Sequence, residues 1–105
     1  MPQEVISIAV FVALKNKDDE VLAVMRALIG LMAAKNYSRD TLYHDRKSRR
    51  YLDIRHWTSE SSRIEAEEDP QVHSYWAKLG HLIRIEKIYE SFVAIELEHC
   101  SNHEC

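Results

Sequence analysis

The chain has 105 residues, 46% hydrophobic and 30% charged, which bounds it to one domain with a modest core. A formal net charge of -3 gives no footprint for nucleic acid, and Met1-Pro2-Gln3-Glu4 carries no positive n-region of a secretory signal. The longest apolar stretches are short or broken by Arg26, so no membrane span is expected and the expected location is the cytoplasm; the two cysteines make no disulfide framework.

Residues 5–14 are nearly all apolar and rich in β-branched side chains (Val5, Ile6, Ile8, Val10, Val12), the pattern of a strand buried on both faces. Asn16 is placed to cap a helix, and Asp18, Asp19 and Glu20 suit the positive end of its dipole. Val21, Val24, Met25, Leu28, Leu31 and Met32 recur at three- and four-residue steps, which predicts an amphipathic helix to about residue 35 with Asn36 as a left-handed stop. Residues 37–45 read as a second, more polar strand, 46–49 as a hairpin connection and 50–57 as a third strand, the last two strands pairing antiparallel. The basic run Arg46-Lys47-Ser48-Arg49-Arg50 falls on that connection and reads as a solvated hairpin tip.

Ser59 begins a short polar helix over 60–68. Asp69-Pro70 ends it, because the residue before proline is pushed out of the helical region, and Pro70 suits the first turn of the next helix. That helix carries the stripe Val72, Trp76, Leu79 and Ile83. Near Arg84 the period changes, and 85–97 read as a long final strand. The order is β-α-β-β-α-β with the second helix in two pieces, an α+β, ferredoxin-like arrangement over residues 1–97. Right-handed crossovers place the helices on one face of a four-stranded antiparallel sheet. The apolar first strand then asks for a cover on the other face, and the expected cover is a second copy of the chain, giving a homodimeric α/β barrel.

Chemistry concentrates on the third strand. Tyr51, Asp53, Arg55 and Trp57 occupy one alternate set; Leu52, Ile54 and His56 occupy the other. Ionic groups and large aromatics on one face either line a polar pocket or form an ion-pair network across the barrel. Arg39, Thr41 and Tyr43 on the neighbouring strand are expected opposite Asp53 and Arg55. His73 lies one step off its helical stripe, at the rim of the helix–sheet cleft, where it is either a surface group or a proton-transfer group. His56 reads as a satisfied core histidine. The tail, residues 98–105, crowds His99, Cys100, His103 and Cys105 too closely for a well-shaped metal site, so a frayed terminus and no metal are expected. Gly30 and Gly80 cannot form a Gly-rich phosphate loop.

Three fragments carry a resemblance: Arg55-His56-Trp57-Thr58-Ser59 at the end of the third strand, Ile64-Glu65-Ala66 in the short helix, and Asp69-Pro70-Gln71-Val72-His73-Ser74-Tyr75-Trp76 at the start of the next. With the element order, over about residues 5–95, they resemble the antibiotic biosynthesis monooxygenase family of dimeric α/β barrels. Arg55 stands where members often carry an acid, Glu67 near a frequent histidine, and residues 6–14 lack the Asn of haem-degrading relatives. The resemblance implies an oxygenase without metal, flavin or other cofactor. An electron-rich quinol or polyketide phenol would be deprotonated and react directly with O₂ in a dry, aromatic-walled pocket. It implies His73 and Arg55 as catalytic candidates, Arg55 to stabilise a phenolate or peroxide. Trp57, Trp76, Tyr43, Tyr51 and Asp53 are the substrate-binding candidates. The alternative is a non-catalytic barrel that binds a small hydrophobic ligand or serves a stress or regulatory role. A pocket of a few hundred Å³ between helices and sheet, holding a candidate base, favours the enzyme. A cleft filled by Trp57, Trp76 and Met32 favours the binder or a purely structural role.

Overall fold

The structure, a computed structural model, describes residues 4–95, so the Cys/His tail lies outside the described residues. Its elements are β1 (Val5–Ala13), α1 (Asp18–Ala34), β2 (Ser38–His44), β3 (Arg50–Trp57), α2 (Glu60–Glu68), α3 (Pro70–Gly80) and β4 (Ile83–Val93). The strands form one antiparallel sheet in the order β2-β3-β1-β4. This is the expected α+β, ferredoxin-like topology with its second helix divided. Among the described residues no helix is long and apolar enough to cross a membrane.

Local chemistry sets the boundaries. Ser59 caps α2 by accepting a hydrogen bond from the Ser62 amide at 3.0 Å, and the Asp69 side chain caps α3 through the Gln71 amide at 2.8 Å. Asn36 takes φ 58° past the end of α1, and the Tyr37 amide reaches back to the Met32 carbonyl at 2.8 Å, a left-handed stop as expected. Asn16 departs from expectation. It adopts φ 63° in the turn between β1 and α1, and α1 starts at Asp18 with no side-chain cap. Asparagine was needed there for its tolerance of the left-handed region and not for its side-chain acceptor. β4 also starts earlier than its period suggested, at Ile83, directly after the Leu79–Leu82 turn.

One face of the sheet carries the core. Val21, Met25, Leu28 and Met32 of α1, Ala66 of α2, and Val72 and Leu79 of α3 pack with Val5, Phe11, Tyr51 and Trp57 from the strands. The other face presents Ile6, Ile8, Val10, Leu52 and Ile54, all half-buried. The two-sided burial expected of β1 is therefore met on one side only within a single chain. β4 leaves Tyr89 and Phe92 43% and 45% exposed. A polar knot ties the helix ends together: Asp69 Oδ2 accepts from Lys35 Nζ at 2.6 Å and from the Tyr37 hydroxyl at 2.7 Å. These partners hold the Asp69 carboxyl far below its ordinary range and push the Tyr37 phenol up to about 12.

Candidate functional site

Between the helices and the covered face of the sheet lies a cavity of about 350 Å³. Its floor is β1 and β3, through Ala9, Phe11, Asp53, Arg55 and Trp57; its walls come from Met25 and Leu28 of α1, Trp76 and Leu79 of α3, and Ile85 and Ile88 of β4. Arg63, Glu67 and Glu90 add charge to the lining. The alternation read from sequence is what places Asp53, Arg55 and Trp57 together, because β3 turns that set toward the helices. Trp57 is fixed in turn: its indole N–H donates to Ser7 Oγ at 2.7 Å, and the Ser7 hydroxyl donates to the Glu90 carbonyl at 2.6 Å.

Charge is buried beneath this apolar lining. Arg55 Nε donates to Asp40 Oδ2 at 2.9 Å and Nη2 lies 3.4 Å from Asp53 Oδ2, while the guanidinium sits 5.5 Å from the Trp57 ring centroid. Side-chain exposure is 0% for Asp40, 11% for Arg55 and 7% for Asp53. Asp40 also accepts from the Ser38 hydroxyl at 2.9 Å, whereas Asp53 Oδ1 is buried with no partner. Burial, followed by the neighbouring Asp40 charge, pushes the Asp53 carboxyl up to about 8, against the opposing pull of Arg55.

Four of the site candidates line this cavity: Asp53, Arg55, Trp57 and Trp76. Three are placed elsewhere. Tyr43 pairs with Leu52, so it projects from the opposite face of the sheet and is 53% exposed. Tyr51 faces the helices but is packed solid, stacked on Phe11 and His44 with its hydroxyl donating to Asp18 Oδ2 at 2.7 Å. His73 is exposed on α3; it stacks on Trp76 at 5.4 Å and meets the Glu67 carbonyl, without lining the cavity. His56 lies on the uncovered face, 3.4 Å from Glu4 Oε1, with Nδ1 buried and making no hydrogen bond. Asp40 was missed. The pairing is Asp40↔Arg55 and Leu42↔Asp53, one residue from the register that put Arg39, Thr41 and Tyr43 opposite them. Opposite charges at Asp40 and Arg55 were the available signal. Among the described residues no cluster of His, Cys, Asp and Glu is arranged to hold a metal ion.

The fold has well-matched counterparts among solved structures. Rv0793 from Mycobacterium tuberculosis is similar with a TM-score of 0.71 and 20% identity, over 93% of this chain and 99% of that one. SnoaB, a cofactor-independent oxygenase from Streptomyces nogalater, is similar with a TM-score of 0.73 and 20% identity, over 95% of this chain and 99% of that one. A Chloroflexus aurantiacus protein classed with the antibiotic biosynthesis monooxygenases has a TM-score of 0.72 at 16% identity, over 91% and 97% of the two chains. No family model matches the chain, and no curated protein matches it in sequence. The chain thus has the fold of the antibiotic biosynthesis monooxygenase-like proteins, and identities this low speak for the fold alone.

Proposed function

We propose that the protein is a cofactor-independent monooxygenase that acts on a small aromatic or quinol-like compound in the cytoplasm. One observation carries the reading: the cleft between helices and sheet is an open cavity of about 350 Å³ whose apolar walls surround a buried Asp53–Arg55 pair. Trp57 and Trp76 form walls and do not fill it, while Met32 is wholly buried away from it, so the arrangement expected of a filled, purely structural cleft is absent at this site. An aromatic ligand held against Trp57 would place its oxygen by Arg55. Once ionised, such a compound supplies all the electrons itself. In an anthrone the ring CH₂ becomes a carbonyl, one atom of O₂ enters that carbonyl, and the other leaves as water. Arg55 would stabilise the oxyanion and the peroxide formed on the way.

The reading includes a homodimer whose two uncovered sheet faces meet, supported by the apolar set Ile6, Ile8, Val10, Leu52 and Ile54 and by exposed Tyr89 and Phe92 on β4. Oxygen uptake with a panel of quinols and anthrones tests the activity. Uptake should fall by about 10- to 100-fold in Arg55→Lys, which keeps the charge but loses the fork that joins Asp40 to Asp53. It should stay within about threefold of the unsubstituted protein in His73→Ala, whose side chain lies outside the cavity lining. No uptake with any member of the panel would turn the site into a binding cavity.

A further inference from the structure

With His73 outside the cavity, the proton of the substrate must go to another group. The charged groups around the cavity are Asp53 and Arg55 on β3, Arg63 and Glu67 on α2, and Glu90 on β4, with Asp40 on β2 behind Arg55; α1 and α3 contribute Met25, Leu28, Trp76 and Leu79, none of which titrates. Arg63 is engaged by Glu60 and Glu67, and Glu67 and Glu90 are exposed. The buried set is Asp40, Arg55 and Asp53.

Charge in this set does not balance. One guanidinium faces two carboxyls, and Asp40 takes the better share, with Arg55 Nε and the Ser38 hydroxyl both at 2.9 Å. Asp53 keeps a single 3.4 Å contact and an oxygen with no donor. A buried carboxylate paired so weakly gains most from taking up a proton. Arg55 also has capacity left. Its Nε and Nη2 serve the two carboxyls, and Nη1 donates to no group among the described residues.

Resting on the reading of the cavity as an aromatic-substrate site, we propose that Asp53 is its proton acceptor, that Arg55 receives the ligand oxygen, and that the ligand is a neutral aromatic bearing an ionisable hydroxyl. The O–H bond of the ligand breaks, its electron pair stays on the oxygen beside the guanidinium, and the proton forms a new O–H bond on the Asp53 carboxylate. Asp40 is a positioning residue: it anchors Arg55, and its like charge makes Asp53 a stronger base. A carboxyl raised to about 8 stands close to a phenol at about 10, so the proton transfer is near balance. An aryl carboxylate fits the same walls but brings its own charge, and above about pH 8, where Asp53 is itself ionised, it would put a third buried anion beside one cation, which the site rejects.

The probes are 2-naphthol and 2-naphthoate, alike in shape, titrated against the full chain by quenching of tryptophan fluorescence. At about pH 8.5 naphthol should bind at least about tenfold tighter than naphthoate, and its affinity should rise about tenfold from about pH 6 to that pH as Asp53 ionises. Asp53→Asn should flatten that rise to under about twofold, and Asp40→Asn should move it to lower pH by removing the like charge. Naphthoate bound as tightly as naphthol at about pH 8.5, or a rise that survives Asp53→Asn, overturns the assignment. If Asp53→Asn fails to fold, the Asp40→Asn shift decides alone, and an unmoved rise counts against the proposal. Oxygen uptake separates this from the function above. Naphthol binding with the expected rise, but no uptake by any quinol or anthrone, removes the oxygenase and leaves Asp53 as the proton acceptor of a binding site.

Discussion

At the scale of single residues, Asp53 is a stability cost kept beside a cavity. In the unfolded chain its carboxyl ionises near pH 4, whereas the fold holds the pKa at about 8. Below the lower value both states are protonated and nothing is lost. Between the two values the unfolded state sheds a proton that the folded state keeps, so this group erodes stability as pH rises through that window. Asp53→Asn removes the group that ionises on unfolding and leaves Arg55 paired with Asp40. It should therefore be more stable at neutral pH by about 1–3 kcal/mol, with the gain vanishing near about pH 4, as read from urea denaturation at several pH values. Equal stability of the two proteins at pH 7 would show that Asp53 is not held protonated. The residue level was partly legible in sequence. Alternation put Asp53, Arg55 and Trp57 on one face, and they do share the cavity. Tyr51 satisfies the same alternation yet is locked by Phe11, His44 and Asp18, because period 2 assigns a face and not a depth.

At the scale of elements, the periods carried most of the information. The stripe of α1 matched the buried set Val21, Met25, Leu28 and Met32, and Asp69-Pro70 marked the junction of α2 and α3. Met32 has no exposure and lies away from the cavity, so Met32→Ala tests the stripe without touching the site. It should cost about 2–4 kcal/mol in urea denaturation and leave naphthol affinity within about twofold. A loss under about 0.5 kcal/mol would mean that α1 is not the main cover of the sheet. Strand register was the least legible feature. The β2–β3 connection closes with the Asp45 amide on the Arg50 carbonyl at 2.8 Å, with Arg49 at φ 66° and the Asp45 side chain accepting from the Lys47 amide and the Ser48 hydroxyl. A loop of that shape fixes every pair above it, and composition alone does not reveal the shape. One residue of slip exchanged Asp40 for Arg39 and Thr41, which hid the second carboxyl of the site.

At the scale of the whole molecule, the sheet has two faces with different tasks. The helix-covered face holds the core and the cavity; the other is half-buried, apolar along β1 and β3, and flanked by exposed Tyr89 and Phe92. The proposed dimer would cover this apolar sheet face. Light scattering in dilute buffer should report a dimer, and Ile8→Lys, at the centre of that face beside Ile54, should shift it toward monomer. A clean monomer in the unsubstituted protein would remove the facing-sheet dimer and leave the cavity untouched. The central claim is that a small aromatic compound reacts with O₂ inside the cavity. Oxygen uptake with the quinol and anthrone panel, in the unsubstituted protein and in Ala9→Leu, tests it most directly, because Ala9 lies on the cavity floor and a larger side chain there fills the space. Saturable uptake that falls at least about tenfold in folded Ala9→Leu is the predicted result; no uptake, or uptake that the filled cavity leaves unchanged, contradicts it.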